Sequence, residues 1–246
     1  MTAEEFKEKF NLRYNNALGE APGLDDFEIS SYLTIAQEEI VKKYYDIDLD
    51  PRSSFELKER SRRILNELVN SETITSSVTS NRGLSQDSKF FELENDPMFI
   101  VLETYKIKSL DSVYNNKVIE VLPITHDEFM RSYRNPFRKP NKNKAWRVDL
   151  SRENSKTLVE IISPEDFHEY KVRFISFPSP IIVTNLATDD EFVGMNLSIN
   201  GKTSKSTSKL NQQVHSEIVD RAVELAALDY SKGTDLQSRV ALNKRI

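Results

Sequence analysis

Four residues past the middle of the chain have the types that metal-dependent phosphodiester chemistry uses. Glu165 and Asp166 follow Pro164, and Glu169 and Lys171 come next, two apart. The carboxylates could hold Mg²⁺ and the lysine could polarise a phosphate. The same spacing is what one face of an ordinary strand yields, because side chains two apart share a face. The three histidines, His126, His168 and His215, form no i, i+4 pair, and the absence of cysteine leaves them without thiolate support for zinc. Asp46-Ile47-Asp48-Leu49-Asp50 resembles the opening of a calcium loop, but Pro51 stands at the sixth position, where the sharp turn needs glycine. With only 6 glycines in 246 residues there is no Walker loop, dinucleotide loop or nucleophile elbow. No catalytic residue, no metal and no cofactor is expected; a nuclease built on Glu165, Asp166, Glu169 and Lys171 is the enzymatic alternative.

The strongest charge signal runs from Arg131 to Arg147. It holds Arg131, Arg134, Arg138, Lys139, Lys142, Lys144 and Arg147 with no acid among them, interleaved with Tyr133, Phe137 and Trp146. Pro136 and Pro140 keep part of it extended. Such a stretch can dock on an acidic protein surface, track a phosphate backbone, or be a solvated loop whose Trp146 belongs to the next strand. The reading taken is a partner-docking surface made of Arg131, Arg134, Phe137, Arg138, Lys139, Lys142, Lys144, Trp146 and Arg147. A net charge of -5 gives no global pull toward nucleic acid.

The elements that must position these residues follow from hydrophobic period. Phe6, Phe10, Tyr14 and Ala17 lie at helical spacing behind Thr2, an N-cap with Glu5 three residues on. Ile29, Leu33, Ala36, Ile40 and Tyr44 mark a second helix after Asp25 or Asp26. A third, capped by Ser53 or Ser54, turns Leu57, Ile64, Leu65 and Leu68 inward. From about Glu72 the chain changes to short β-branched or apolar runs, at 73–75, 90–93, 98–102, 118–121, 146–148, 158–162 and 170–175, with a short helix from Asp127 to Tyr133. Near Lys209 the helical period returns, with Leu210, Val214, Ile218, Ala222 and Leu225 on one stripe and Val219, Val223 and Ala226 on another.

This order predicts an α+β chain in which N-terminal helices and a long C-terminal helix form a helical bundle, with a β-rich antiparallel module inserted between them. The expected segments are 1–71 for the N-terminal helices, 72–200 for the β module, 201–230 for the closing helix and 231–246 for an extended tail. No apolar window is long enough for a membrane span, and Met1-Thr2-Ala3-Glu4-Glu5 does not read as a signal peptide.

Several of these pieces recur together in a known family. Leu122-Pro123-Ile124-Thr125-His126-Asp127-Glu128-Phe129 leads into Asn135-Pro136-Phe137-Arg138-Lys139-Pro140 and Ala145-Trp146-Arg147. Tyr170-Lys171-Val172-Arg173-Phe174-Ile175 and Phe177-Pro178-Ser179-Pro180-Ile181-Ile182 follow, and the series closes with the helix from Gln213 to Ala226. The series resembles the ring, or head-to-tail connector, proteins of crAss-like phages of gut Bacteroidales, and more distantly the adaptor ring of short-tailed phages. The resemblance implies a structural virion protein without catalytic residues, assembled in the host cytoplasm as a homo-oligomeric, dodecameric ring. It implies the portal protein and neighbouring ring and tail proteins as partners, and genomic DNA in transit through the channel. On this reading His215, Arg221, Leu236, Arg239 and Ile246 are candidates for the ring or portal interface, and Ser231–Ile246 is an arm that orders on a neighbour.

Overall fold

The computed structural model describes residues 1–19, 22–45, 58–153, 156–190, 192 and 194–243, with backbone alone at 149–153 and 232–243. The calcium-loop-like stretch Asp46–Asp50, the cap candidates Ser53 and Ser54, and Ile246 lie outside the described residues. Two compact units result: residues 1–68 with 178–246, and residues 69–177.

In the first unit, helix α1 (Ala3–Ala17) opens on a capping box: Thr2 Oγ1 accepts from Glu5 N, and Glu5 Oε2 accepts from Thr2 N. Its buried stripe is Ala3, Phe6, Phe10 and Tyr14. Helix α2 (Asp26–Tyr45) opens on a second box, between Asp25 and Glu28. Helix α3 (Glu59–Leu65) is short and continues into a 3-10 turn at Asn66–Leu68. Helix α5 (His215–Asn243) packs along both α1 and α2, which barely touch one another. Its backbone stays helical through most of the segment expected to be a tail.

Helix α2 buries more than its apolar stripe. Ser30, Thr34 and Gln37, four and three residues apart, form a polar line that meets the extended chain 179–183. Gln37 Nε2 donates to Ser179 O at 2.8 Å, Ile181 N donates to Thr34 Oγ1 at 3.1 Å, and Val183 N donates to Ser30 Oγ at 3.0 Å. These side chains satisfy backbone groups that have no strand partner on that side. The other side of Ile182 bridges Ser206. Ile182, Leu186, Phe192 and Ile199 then form a small core of their own, with Phe27 and Leu197 against it.

The second unit is one seven-stranded sheet: β1 (Val69–Ile74), β2 (Ser88–Leu93), β3 (Pro97–Lys108), β4 (Val118–Pro123), β5 (Lys144–Glu153), β6 (Lys156–Ile162) and β7 (Asp166–Ser176), with helix α4 (His126–Ser132) between β4 and β5. The order is β1-β7-β3-β4-β5-β6-β2, and every pair is antiparallel except β4 with β5. The sheet curls. Strands from both of its halves send one face into a single cluster that includes Phe91, Tyr105, Val121, Ala145, Val159 and Tyr170. Phe91, on the β2 edge, meets Tyr170 of β7 ring to ring at 4.9 Å, though the two strands stand far apart in the order. A register shift between Lys106 and Ile107 lets both Phe167 and Tyr170 of β7 reach this core.

The expected helical bundle around an inserted antiparallel module is therefore corrected. The fold is mixed α/β, dominated by the curled seven-stranded sheet, with five α-helices among the described residues, the last of them at the C-terminal end. Two physical reasons stand out. The second face of α2 is covered by extended chain rather than by another helix, so no bundle closes around it. And β4 and β5 run parallel, which hydrophobic alternation cannot reveal, since the period is the same for either direction.

Candidate functional site

Parallel pairing of β4 with β5 decides where the basic stretch goes. After β4 the chain must return to the end of the sheet where β4 began, and a parallel return needs a crossover. Residues 124–143 are that crossover. Its first half is α4, capped by Thr125 Oγ1, which accepts from Glu128 N at 3.2 Å. Phe129 seats α4 on the outer face of the sheet, edge-on to Trp146 at 6.2 Å and beside Val148 and Ile162. Its second half is the basic loop. Asn135 organises it: the backbone N–H groups of Arg138 and Lys139 donate to Asn135 O, and Phe137 N donates to Asn135 Oδ1 at 3.0 Å.

The nine candidate docking residues separate into two groups. Arg131, Arg134, Arg138 and Lys139 are exposed, and Phe137 is 90% exposed at the tip of the loop. Lys142 instead lies over the Tyr114 ring at 4.4 Å and pairs with Asp111 at 3.8 Å and Glu165 at 3.7 Å. Lys144 Nζ donates to Phe137 O at 3.4 Å and so braces the loop. Trp146 is 3% exposed and belongs to the α4 cluster. Arg147 is 8% exposed and points to the opposite face, into the curl, where it pairs with Glu103 at 2.8 Å; Tyr170 Oη donates to the same carboxylate. Both faces of β5 are covered, so Trp146 and Arg147 are buried within this chain.

The structure adds residues that charge patterning did not single out. The β3–β4 turn, residues 109–117, lies against the basic loop: Lys117 Nζ donates to Asn143 Oδ1 at 2.7 Å, and Lys142 grips both Tyr114 and Asp111. Asn116 takes a left-handed φ of 65°, and its N–H donates to Ile107 O. Val113 N donates to Asp111 Oδ1. This pinned turn holds Leu110 fully and Val113 largely out in water. Their signal in the sequence was two aliphatics inside a run of Ser, Asp and Asn, a place where apolar residues serve no core. One end of the sheet thus presents Phe137, Leu110 and Val113 on hydrogen-bonded turns, rimmed by arginines.

The carboxylate–lysine set is dispersed. Glu165 is held by Lys142, and Glu169 pairs with Lys106 at 3.7 Å. Lys171 is exposed, and Asp166 begins β7. Among the described residues no group of three acidic, histidine or cysteine side chains could hold a metal ion. Lys89, partly buried, donates to Glu165 O at 2.9 Å, and burial lowers its pKa despite Asp166, Asp87 and Glu165 nearby.

Of the candidate ring or portal residues, His215 is 3% exposed, inside the first unit. Its Nε2 donates to Leu210 O at 2.8 Å, Nδ1 stands 2.9 Å from the Met1 ammonium, and the ring packs on Phe6. A carbonyl on one nitrogen and an ammonium on the other require the neutral ring. Burial lowers its pKa below 6.5, and the ammonium adds to this against the pull of Leu210. Arg221 pairs with Glu39 at 2.6 Å and Glu224 at 2.9 Å, tying α2 to α5. Leu236 and Arg239 lie on the helical backbone of α5, without described side chains. No helix among the described residues is long and apolar enough to cross a membrane.

Comparison with known proteins gives a consistent result. The profile of a family described as phage tail ring protein 3/4 matches residues 1–238. Ring protein 3 of Bacteroides phage crAss001 is 36% identical over 242 residues, covering 95% of this chain and 98% of that protein. Ring protein 4/5 of the same phage is 34% identical over 259 residues, covering 100% of this chain and 99% of that protein.

Proposed function

The chain belongs to the phage tail ring protein 3/4 family, and from that membership we propose that it is a structural subunit of a closed ring in the head-to-tail region of a crAss-like phage particle. The ring joins the portal side of the particle to the tail components beyond it and extends the channel through which DNA leaves. Its role is non-enzymatic, and a dodecamer is the stoichiometry proposed. Assembly takes place in the host cytoplasm before the ring joins the virion.

The observation that carries this reading is full-length similarity to two differently numbered ring proteins of one phage at nearly equal identity. A fold shared by two such proteins is one that serves ring building in general rather than one position in a stack. The exposed apolar end of the sheet supports it, because rigid turns that hold Phe137, Leu110 and Val113 in water are costly unless a partner covers them. Cryo-electron microscopy of the intact particle tests the proposal. Density for this chain as one closed ring on the tail axis is expected. Its absence from the particle, or its presence off the axis as separate copies, would overturn it.

A further inference from the structure

We propose that the basic, apolar-tipped end of the curled sheet docks onto the acidic loop around Asp190 and Met195 of a second copy of this chain. This rests on the ring reading above and names the contact that would build the ring. The two surfaces are opposite in charge and alike in construction. From Arg131 to Arg147 there is no acid; between Arg173 and Lys202 the only charges are Asp189, Asp190 and Glu191.

On the basic side, Arg131, Arg134, Arg138 and Lys139 have no ion-pair partner among the described residues. The cations that would compete are already committed, Lys142 to Asp111 and Glu165 and Arg147 to Glu103. Phe137 stands among the free ones.

On the acidic side, Leu186, Phe192 and Ile199 are buried together in one small core. Asp189 accepts from Thr184 Oγ1 at 2.7 Å, while Asp190 faces water. Met195 is exposed, flanked by Gly194 at φ 89° and Asn196 at φ 50°, both left-handed. An aromatic ring meeting a thioether is a favourable pair, and methionine adapts to the shape offered. Because the two surfaces are different parts of one chain, the contact is head-to-tail and repeats from copy to copy, as ring closure requires.

The chain has no cysteine, so two can be placed without a competing thiol in the chain itself. Phe137→Cys with Met195→Cys, carried in assembled particles and treated with a short bis-maleimide, is expected to give a ladder of covalent multimers of this chain. Each single variant is expected to give none beyond a dimer. Cross-links from Phe137→Cys to a different particle protein, or no cross-link in particles whose ring is visible, would overturn the contact while leaving the ring standing. Particles with no ring of this chain would overturn the underlying reading instead. In a second arm, Arg134→Glu with Arg138→Glu lowers self-association of the purified chain by about tenfold or more, and adding Asp190→Lys restores part of it. Loss without any rescue, with thermal unfolding unchanged, would also count against the pairing.

Discussion

The crossover and the strand it enters carry cations of opposite fate. Arg134, Arg138 and Lys139 stand in water around an exposed phenylalanine. A few residues on, Lys142 is wrapped around Tyr114 and two carboxylates, and Arg147 is shut inside the sheet with Glu103 and Tyr170. Composition does not separate them, since both are dense in Lys and Arg beside aromatics. Strand geometry does. Once the chain enters β5, alternation sends Trp146 and Val148 to the α4 side and Ala145 and Arg147 to the curl, and on both sides something is waiting. A basic residue in a loop is available to a partner; one at an inward position of a doubly covered strand is part of the core.

The sharpest way to break this contrast is to remove the buried cation. Arg147→Ala would leave Glu103 charged and buried, and losing one partner of a buried pair costs about 3–5 kcal/mol. Chemical denaturation is expected to show that loss for Arg147→Ala and a change within about 0.5 kcal/mol for Arg138→Ala. Equal effects at the two positions would erase the distinction between the stretches.

The first unit offers the same lesson in neutral form. Thr34 sits on the buried side of α2 and accepts from Ile181 N. Thr34→Val keeps the shape and leaves that N–H without a partner, at a cost of about 1–3 kcal/mol. A valine variant as stable as the parent would mean that apolar packing alone holds the 179–183 segment.

His215 tests whether burial without an acidic partner acts in the opposite sense to Arg147. Its folded pKa lies below 6.5, so the unfolded chain binds the proton more readily. Its contribution to stability is complete above 6.5 and declines as pH falls from 6.5 toward the lowered folded value. Melting temperature is expected to drop over that window in the parent and to drop less in His215→Gln. An identical slope in both would remove His215 as the cause.

How much of this was legible in the sequence follows from which signals are local. The capping box at Thr2 and Glu5 and the stripes of α1, α2 and α5 were readable, because a helix writes its burial at intervals of three and four. Six of the seven β runs fall within strands, and the run at 73–75 overlaps the last two residues of β1, because β-branched and apolar residues mark strands locally. Strand direction was not readable, and with it went the crossover and the position of the basic loop. The polar line Ser30, Thr34 and Gln37 also escaped, because its partner is backbone some hundred and forty residues away. Leu110 and Val113 were hidden by the opposite habit of reading turns as polar. The burial of Trp146 and Arg147 was not readable either, because nothing local announces that both faces of β5 are covered.

Lys142 opens the second stretch while still half in water, and it is the finest test of where exposure ends and structure begins. It is about half exposed, and its two carboxylates sit at the long end of ion-pair distance, 3.8 and 3.7 Å. Solvent screens such pairs, so they contribute little. The closer contact is with the Tyr114 ring at 4.4 Å, worth about 0.5–1 kcal/mol at an exposed site. Lys142→Ala is therefore expected to lower stability by roughly that amount, with weak dependence on salt. It would also loosen the β3–β4 turn from the basic loop, since Lys117 to Asn143 would be the hydrogen bond left to join them. Amide exchange should then rise at residues 109–117 while the strands stay protected. If exchange there does not change, the turn holds Leu110 and Val113 in place by itself. The apolar end of the sheet would then be two independent knobs rather than one surface.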